Sequence, residues 1–273
     1  MSWFLELIGW LTRKVAGRAA DESLDRWFHR RRAKLPQTAP APAVISAAAT
    51  NERFVIAADW SVEHFLNYVS LNTSRHVEKH EFRLSCVVEG LSQHSQKDRL
   101  QIIESGNRHS VVIRWENESF NPHSGETRHE CLVAIRGALG PGEQPLDLAF
   151  KQRFINPVCR TYEEAVEAYG SSNWPHEYVG ASSAVLRSRC RLEVQFPLDI
   201  AKALAVSPRP VVFVDSLNEV PDERKTAELR AKKGRNWGFE VGTGVAWLEL
   251  DGPDPAVHYV MEWMPPRHKP KSA

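Results

Sequence analysis

Alternation of apolar and polar positions is clearest near the end of the chain. Val257, Tyr259, Met261 and Trp263 share one face of a run from Ala256 to Met264, and His258, Val260, Glu262 and Met264 share the other. A second run, Gly244 to Leu250, alternates in the same way, and Asp251-Gly-Pro-Asp-Pro255 lies between the two. Period-two spacing with aromatic and β-branched residues, closed by a Gly/Pro turn, predicts two paired strands. The same pattern predicts strands over 53–58, 81–89, 99–104, 110–116, 130–136, 146–153, 183–196 and 209–215. Over 60–71 the spacing of Val62, Phe65, Leu66 and Val69 fits a short helix better than a strand.

Helical periodicity dominates the first 34 residues. Phe4, Leu7, Ile8, Leu11 and Val15 recur at i, i+3, i+4 and i+7, with Ser2 in position to cap the helix. Arg and Lys outnumber Asp and Glu in this segment, and Trp3 and Trp10 flank the apolar stripe, as in a helix that lies in a membrane interface or docks on a protein. The expected docking face is Trp3, Phe4, Leu7, Ile8, Trp10 and Leu11. Residues 35–51 read as an Ala/Pro linker, because Pro36, Pro40 and Pro42 favour extended chain. Further on, 161–169 reads as a helix whose Thr161 and Glu164 form a capping box. A short helical crossover is expected at 197–205, and the charged segment 221–233 reads as a helical or loop insertion. The cluster from Gly137 to Pro145 is the richest in chain breakers. It divides the expected β-rich domains 52–139 and 140–266, unless these form one continuous body; residues 267–273 are expected to be a disordered tail.

Composition narrows the classes without naming a function. In 273 residues, 42% are hydrophobic and 25% charged, so the chain is long and apolar enough for a substantial core. A net charge of +1 gives no global pull toward nucleic acid or membrane. Cys86, Cys131, Cys159 and Cys190 are widely spaced and too few for a disulfide scaffold, which points to a reducing compartment. No apolar run reaches the roughly 20 residues needed to span a bilayer, and the first residues lack the order of a signal peptide. The expected location is the cytoplasm, with peripheral membrane contact through the first helix.

Candidate chemistry is sparse. His76 and His80 stand four apart, with His64 upstream and Glu63, Glu78 and Glu81 nearby, but the H-E-x-x-H spacing of a zinc helix is absent. Gly180-Ala-Ser-Ser-Ala184 echoes a nucleophile elbow in a context where a strand, not a helix, is expected to follow. Gly242-Thr-Gly244 lacks a phosphate-loop pattern; with Gly238 it marks a strand bend or a close backbone approach. Lys225, Arg230, Lys232, Lys233 and Arg235 precede Trp237, and Lys232, Lys233 and Arg235 are the candidate anion contacts. Glu219, Asp222, Glu223 and Glu228 dilute that basic run, so nucleic acid is not the expected partner.

The sequence therefore predicts a mainly β chain: an antiparallel, sandwich-like body with a few short helices, carrying an N-terminal amphipathic helix. The expected role is that of a binding or regulatory module that needs no cofactor, and the reading leans against an enzyme. Its partners would be a protein, a second copy of itself, or a membrane surface reached by the first helix. Two rival readings are a hydrolase whose site draws on His64, His76, His80 or Asp215 from distant strands, and a nucleic-acid binder using the basic run before Trp237.

Overall fold

Two-residue periodicity governs most of the folded chain. The computed structural model describes residues 43–89, 101–105, 109–120, 126–154, 158–169, 176–181, 185–213, 221–255 and 257–268. The expected N-terminal helix and its docking face lie outside these residues, as do Asp215 and most of the tail. Residues 43–273 form one compact unit. The fold is mainly β, with three short helices among the described residues.

Seven strands build the largest sheet: β1 (Ile45–Ile56), β2 (Val62–Thr73), β4 (Gln101–Ser105), β7 (Leu146–Phe154), β9 (Leu186–Gln195), β11 (Trp237–Glu240) and β12 (Val245–Asp251). Their spatial order is β11-β12-β9-β1-β2-β7-β4. A second sheet contains β3 (Val77–Glu89), β6 (Glu126–Leu139) and β5 (Ser110–Phe120), in the order β3-β6-β5. The third contains β10 (Leu204–Phe213), β13 (His258–Pro266) and β8 (Glu177–Gly180), with β13 central. Helices α1 (Tyr162–Tyr169), α2 (Leu198–Ala203) and α3 (Glu223–Arg230) connect strands. At α1 the Thr161 hydroxyl accepts from the Glu164 N–H, and the Glu164 carboxylate reaches back to the Arg160 N–H. That is a capping box displaced by one residue on its return arm. Asp222 caps α3 by accepting from the Lys225 N–H at 2.9 Å.

Both small sheets cover one face of the large one. Residues paired across strands point to the same side. Phe54 with His64 and Val194, Glu52 with Leu66 and Leu192, and Thr50 with Tyr68 and Cys190 therefore share that inner face. At one end Phe54, Ile56, Leu192, Val194, Ala246 and Leu248 meet Val212, Met261 and Trp263 of the β10-β13-β8 sheet. At the other end Leu66, Tyr68, Leu71, Leu148 and Phe150 meet Phe82, Val133 and Ile135 of the β3-β6-β5 sheet. Edge-on aromatic packing ties each layer: Phe196 to Trp263 at 5.2 Å, and Tyr68 to Phe82 at 5.8 Å.

Several expectations change. The final two runs are strands but not a hairpin: β12 pairs with β11 and β9, and β13 pairs with β10 and β8. They face each other across the core instead, with Leu248 and Leu250 on one layer and Met261 and Trp263 on the other. The run 60–71 contains β2, not a helix, because Phe65 and Val69 belong to the outer face and mimic helical spacing. Inward parity in β2 runs through 62, 64, 66 and 68, then shifts to 71 and 73 at Ser70, whose φ is 52° and where register with β7 slips. Residues 45–51 of the expected linker are strand β1. Their alanines are poor β-formers, and pairing on both sides overrides that local preference. The β1–β9 pairing is parallel, unlike every other named strand pair. The Gly137–Pro145 cluster is the connection from β6 to β7, and the large sheet draws strands from both sides of it, so it does not divide the body.

Candidate functional site

The large sheet has two contrasting faces, and the one that the described residues leave uncovered holds the candidate site. Cross-strand register lines its side chains up in rows. One row runs Trp247, Glu193, Arg53, Phe65 and Lys151, from β12 to β7. The adjacent row runs Glu249, Arg191, Asn51, Asn67 and Ala149. From β12 to β7 this face spans four strand spacings, about 19 Å. A recess of about 580 Å³ opens in it, lined by the side chains of this face at Asn51, Arg53, Phe65, Asn67, Arg191 and Glu193.

Charge on this face is mixed and mostly paired. Arg189 meets Glu249 at 3.3 Å and Asp251 at 3.1 Å. Arg191 meets Glu193 at 3.2 Å, and Lys151 meets Glu63 at 2.8 Å. Arg53 differs. Its register neighbour on β9, Glu193, is turned to Arg191, and Arg53 lies over the Phe65 ring with its guanidinium carbon 5.6 Å from the centroid. Lys151 approaches the same ring at 5.1 Å. No carboxylate of the described residues lies within ion-pair distance of Arg53. Trp247 packs across Gly238 on the neighbouring strand, where a Cβ would come within 2.9 Å of the indole nitrogen.

Two of the buried carboxylates are Glu52, on the inner face of the large sheet, and Glu262, on β13. Glu52 is 2% exposed; its carboxylate lies 3.2 Å from His64 Nε2 and 3.9 Å from the buried Arg187 guanidinium. His64 in turn stacks on Phe54, with ring centroids 4.1 Å apart. Glu262 on β13 accepts on one oxygen from Arg209 at 2.7 Å and from Arg230 at 2.9 Å, while its other oxygen lies 3.6 Å from His176 Nδ1. Burial pulls the His176 and His258 imidazoles below the ordinary histidine value, against the opposing pull of Glu262 and Glu52 respectively. Burial also pushes the Cys190 thiol up, which keeps it protonated and a poor nucleophile. Charge-assisted hydrogen bonds from Arg209 and Arg230 close the Glu262 array, whereas Arg187 approaches Glu52 only at ion-pair distance.

The residues singled out in the sequence scatter. His64 is on the inner face of β2, whereas His76 is exposed between Glu78 and Glu143, and His80 is on β3 in another sheet beside Phe82. Among the described residues no group of three or more His, Cys, Asp or Glu could hold a metal ion. Gly180 ends strand β8, so a strand does precede the elbow-like Gly-Ala-Ser-Ser segment, and strand β9 follows from Leu186. Lys232, Lys233 and Arg235 are exposed in the turn after α3, and Lys233 reaches over the Trp237 ring at 5.5 Å. Asn51, Arg53, Phe65, Asn67, Arg191 and Glu193 were not singled out. Arg53, Arg191 and Glu193 are polar residues within the strands expected at 53–58 and 183–196, whereas Asn51 falls in the expected linker and Phe65 and Asn67 in the expected helix. Among the described residues no helix is long and apolar enough to cross a membrane.

Comparison with known proteins adds no function. No protein-family model matches the sequence, and no curated protein matches it. Among solved structures, an M1 zinc metallopeptidase from Deinococcus radiodurans aligns over 80% of this chain and 42% of its own, at 7% identity and a TM-score of 0.32. A two-domain M1 zinc metallopeptidase bound to L-tryptophan aligns over the same shares, at 8% identity and a TM-score of 0.32. The chain spans less than half the length of these structures. Likeness this slight transfers neither fold nor chemistry.

Proposed function

We propose that this protein is a non-catalytic binding module with two working parts. Its sandwich-like body, residues 43–273, presents the uncovered face of the large sheet to a ligand. Its first helix attaches the chain to a protein partner, a second copy or a membrane surface through Trp3, Phe4, Leu7, Ile8, Trp10 and Leu11. In this reading the protein works in the cytoplasm. The supporting observation is the recess between Asn51, Arg53, Phe65, Asn67, Arg191 and Glu193 on a face that neither small sheet covers. Recessed surfaces with a few convergent polar groups are where small ligands bind. By contrast, the buried His64–Glu52 and His176–Glu262 arrays have their carboxylates engaged by arginine and lie behind packed layers.

A comparison of the full chain with one beginning at Ala43 tests attachment. The cut falls before strand β1, which starts at Ile45. Light scattering after size exclusion and co-sedimentation with liposomes are the readouts. The shortened chain is expected to stay folded, with its circular dichroism unchanged, and to lose self-association or liposome binding. Attachment that persists without residues 1–42, or a shortened chain that unfolds, contradicts the proposal.

A further inference from the structure

We infer that the recess on the uncovered sheet face takes an acidic saccharide, with Arg53 receiving the ligand's carboxylate; this rests on the binding-face reading above. Arg53 is the face's exposed guanidinium without a carboxylate partner among the described residues, whereas Arg189, Arg191, Lys151 and Arg153 each have one. Its position over the Phe65 ring restrains the side chain, so less freedom is lost when two parallel N–H donors meet a carboxylate. Charges of both signs alternate across the rows, so the face has no single-sign field to hold a polyanion such as nucleic acid. One carboxylate on an otherwise neutral ligand matches this surface.

The remainder of the lining fits a sugar better than a peptide. A pyranose has an apolar C–H face and a rim of hydroxyls that both donate and accept. The aliphatic stems of Arg53 and Arg191 supply an apolar floor beside the Phe65 ring, over which the Arg53 and Lys151 cations lie. Asn51 and Asn67, paired side by side across β1 and β2, bring amides that donate and accept, and Glu193 adds an acceptor. An acidic peptide side chain would use Arg53 and leave the two amides without a matching group.

The test is a calorimetric titration of the full chain with three probes. They are a tetrasaccharide carrying one glucuronic acid, the same tetrasaccharide with glucose in that place, and a tetrapeptide with one glutamate. Amide chemical shifts locate each binding event. The acidic tetrasaccharide is expected to bind and to shift residues of β1, β2 and β9 around Asn51, Asn67 and Arg191. The neutral sugar is expected to bind at least tenfold more weakly, and Arg53→Ala to abolish that difference. Arg53→Lys, which keeps the charge and loses the fork, is expected to recover only part of it. Asn67→Ala should weaken both sugars alike. Absence of acidic-sugar binding overturns the inference, as does equal binding of both sugars by the native chain. If the peptide alone shifts the recess, the saccharide inference fails while the binding face stands. If every probe leaves the recess unshifted, the inference fails and the binding face loses its ligand class as well.

Discussion

The two faces of the seven-stranded sheet are made from the same strands, yet they differ in what holds their charges. On the inner face Glu52 is enclosed and answers to His64 and to a buried arginine. On the outer face Arg53, one residue further along β1, is exposed and rests on an aromatic ring. Alternation along one strand thus places an enclosed, partnered charge next to an exposed one. The difference is energetic. Removing one partner of a buried ion pair leaves an unscreened charge, whereas an exposed pair contributes little.

The largest effect separating the faces should come from the core. Trp263→Ala empties a fully buried site against Phe196 and is expected to cost roughly 3–5 kcal/mol in chemical denaturation. Glu52→Gln follows. It strands the buried Arg187 and is expected to cost roughly 3 kcal/mol, where Asp59→Asn, which breaks an exposed pair with Arg153, should cost less than about 1 kcal/mol. Equal costs for the two substitutions would erase the distinction. Gly244→Ala should cost about 1–3 kcal/mol, since φ is 73° there and a Cβ would strike the Phe196 carbonyl oxygen.

Acid should reveal the buried histidines. Burial lowers the folded-state values of His176 and His258 below the unfolded value near 6.5. The unfolded chain therefore takes up protons first, and stability falls as pH drops below about 6.5 until the folded-state values are passed. Above about pH 7 these groups should add no slope. His176→Gln should flatten the acid limb of a pH series of denaturation midpoints; an unchanged limb would contradict the assignment. Smallest of all, Arg53→Ala should leave stability within about 0.5 kcal/mol, as expected for an exposed side chain that forms no ion pair with the described residues.

Much of this architecture was legible from spacing. The strands at 81–89, 110–116, 130–136 and 146–153, and the capped helix after Thr161, follow from alternation and caps that are local properties of the sequence. What spacing did not disclose is pairing. Nothing in Gly244–Met264 tells a hairpin from two strands in facing layers, because both arrangements bury Leu248 and Trp263. Strand β2 was misread because apolar residues stand on both of its faces. The recess was hidden for a related reason: Arg53, Phe65 and Arg191 come from three strands, and only cross-strand register brings them together. The arrays around Glu52 and Glu262 were equally hidden, since their partners are up to 135 positions away in sequence, as with Glu52 and Arg187.

The most direct test of the two-faced sheet is carboxylate labelling of the native full chain with a water-soluble carbodiimide and glycinamide, read by peptide mass spectrometry. Glu249, Asp251 and Glu63 should be modified quickly, and Glu52 and Glu262 only after unfolding. Protection of Glu249 and Glu63 in the native chain would mean that the outer face is covered and would contradict its assignment as the binding face. Rapid labelling of Glu52 would contradict the sealed inner face.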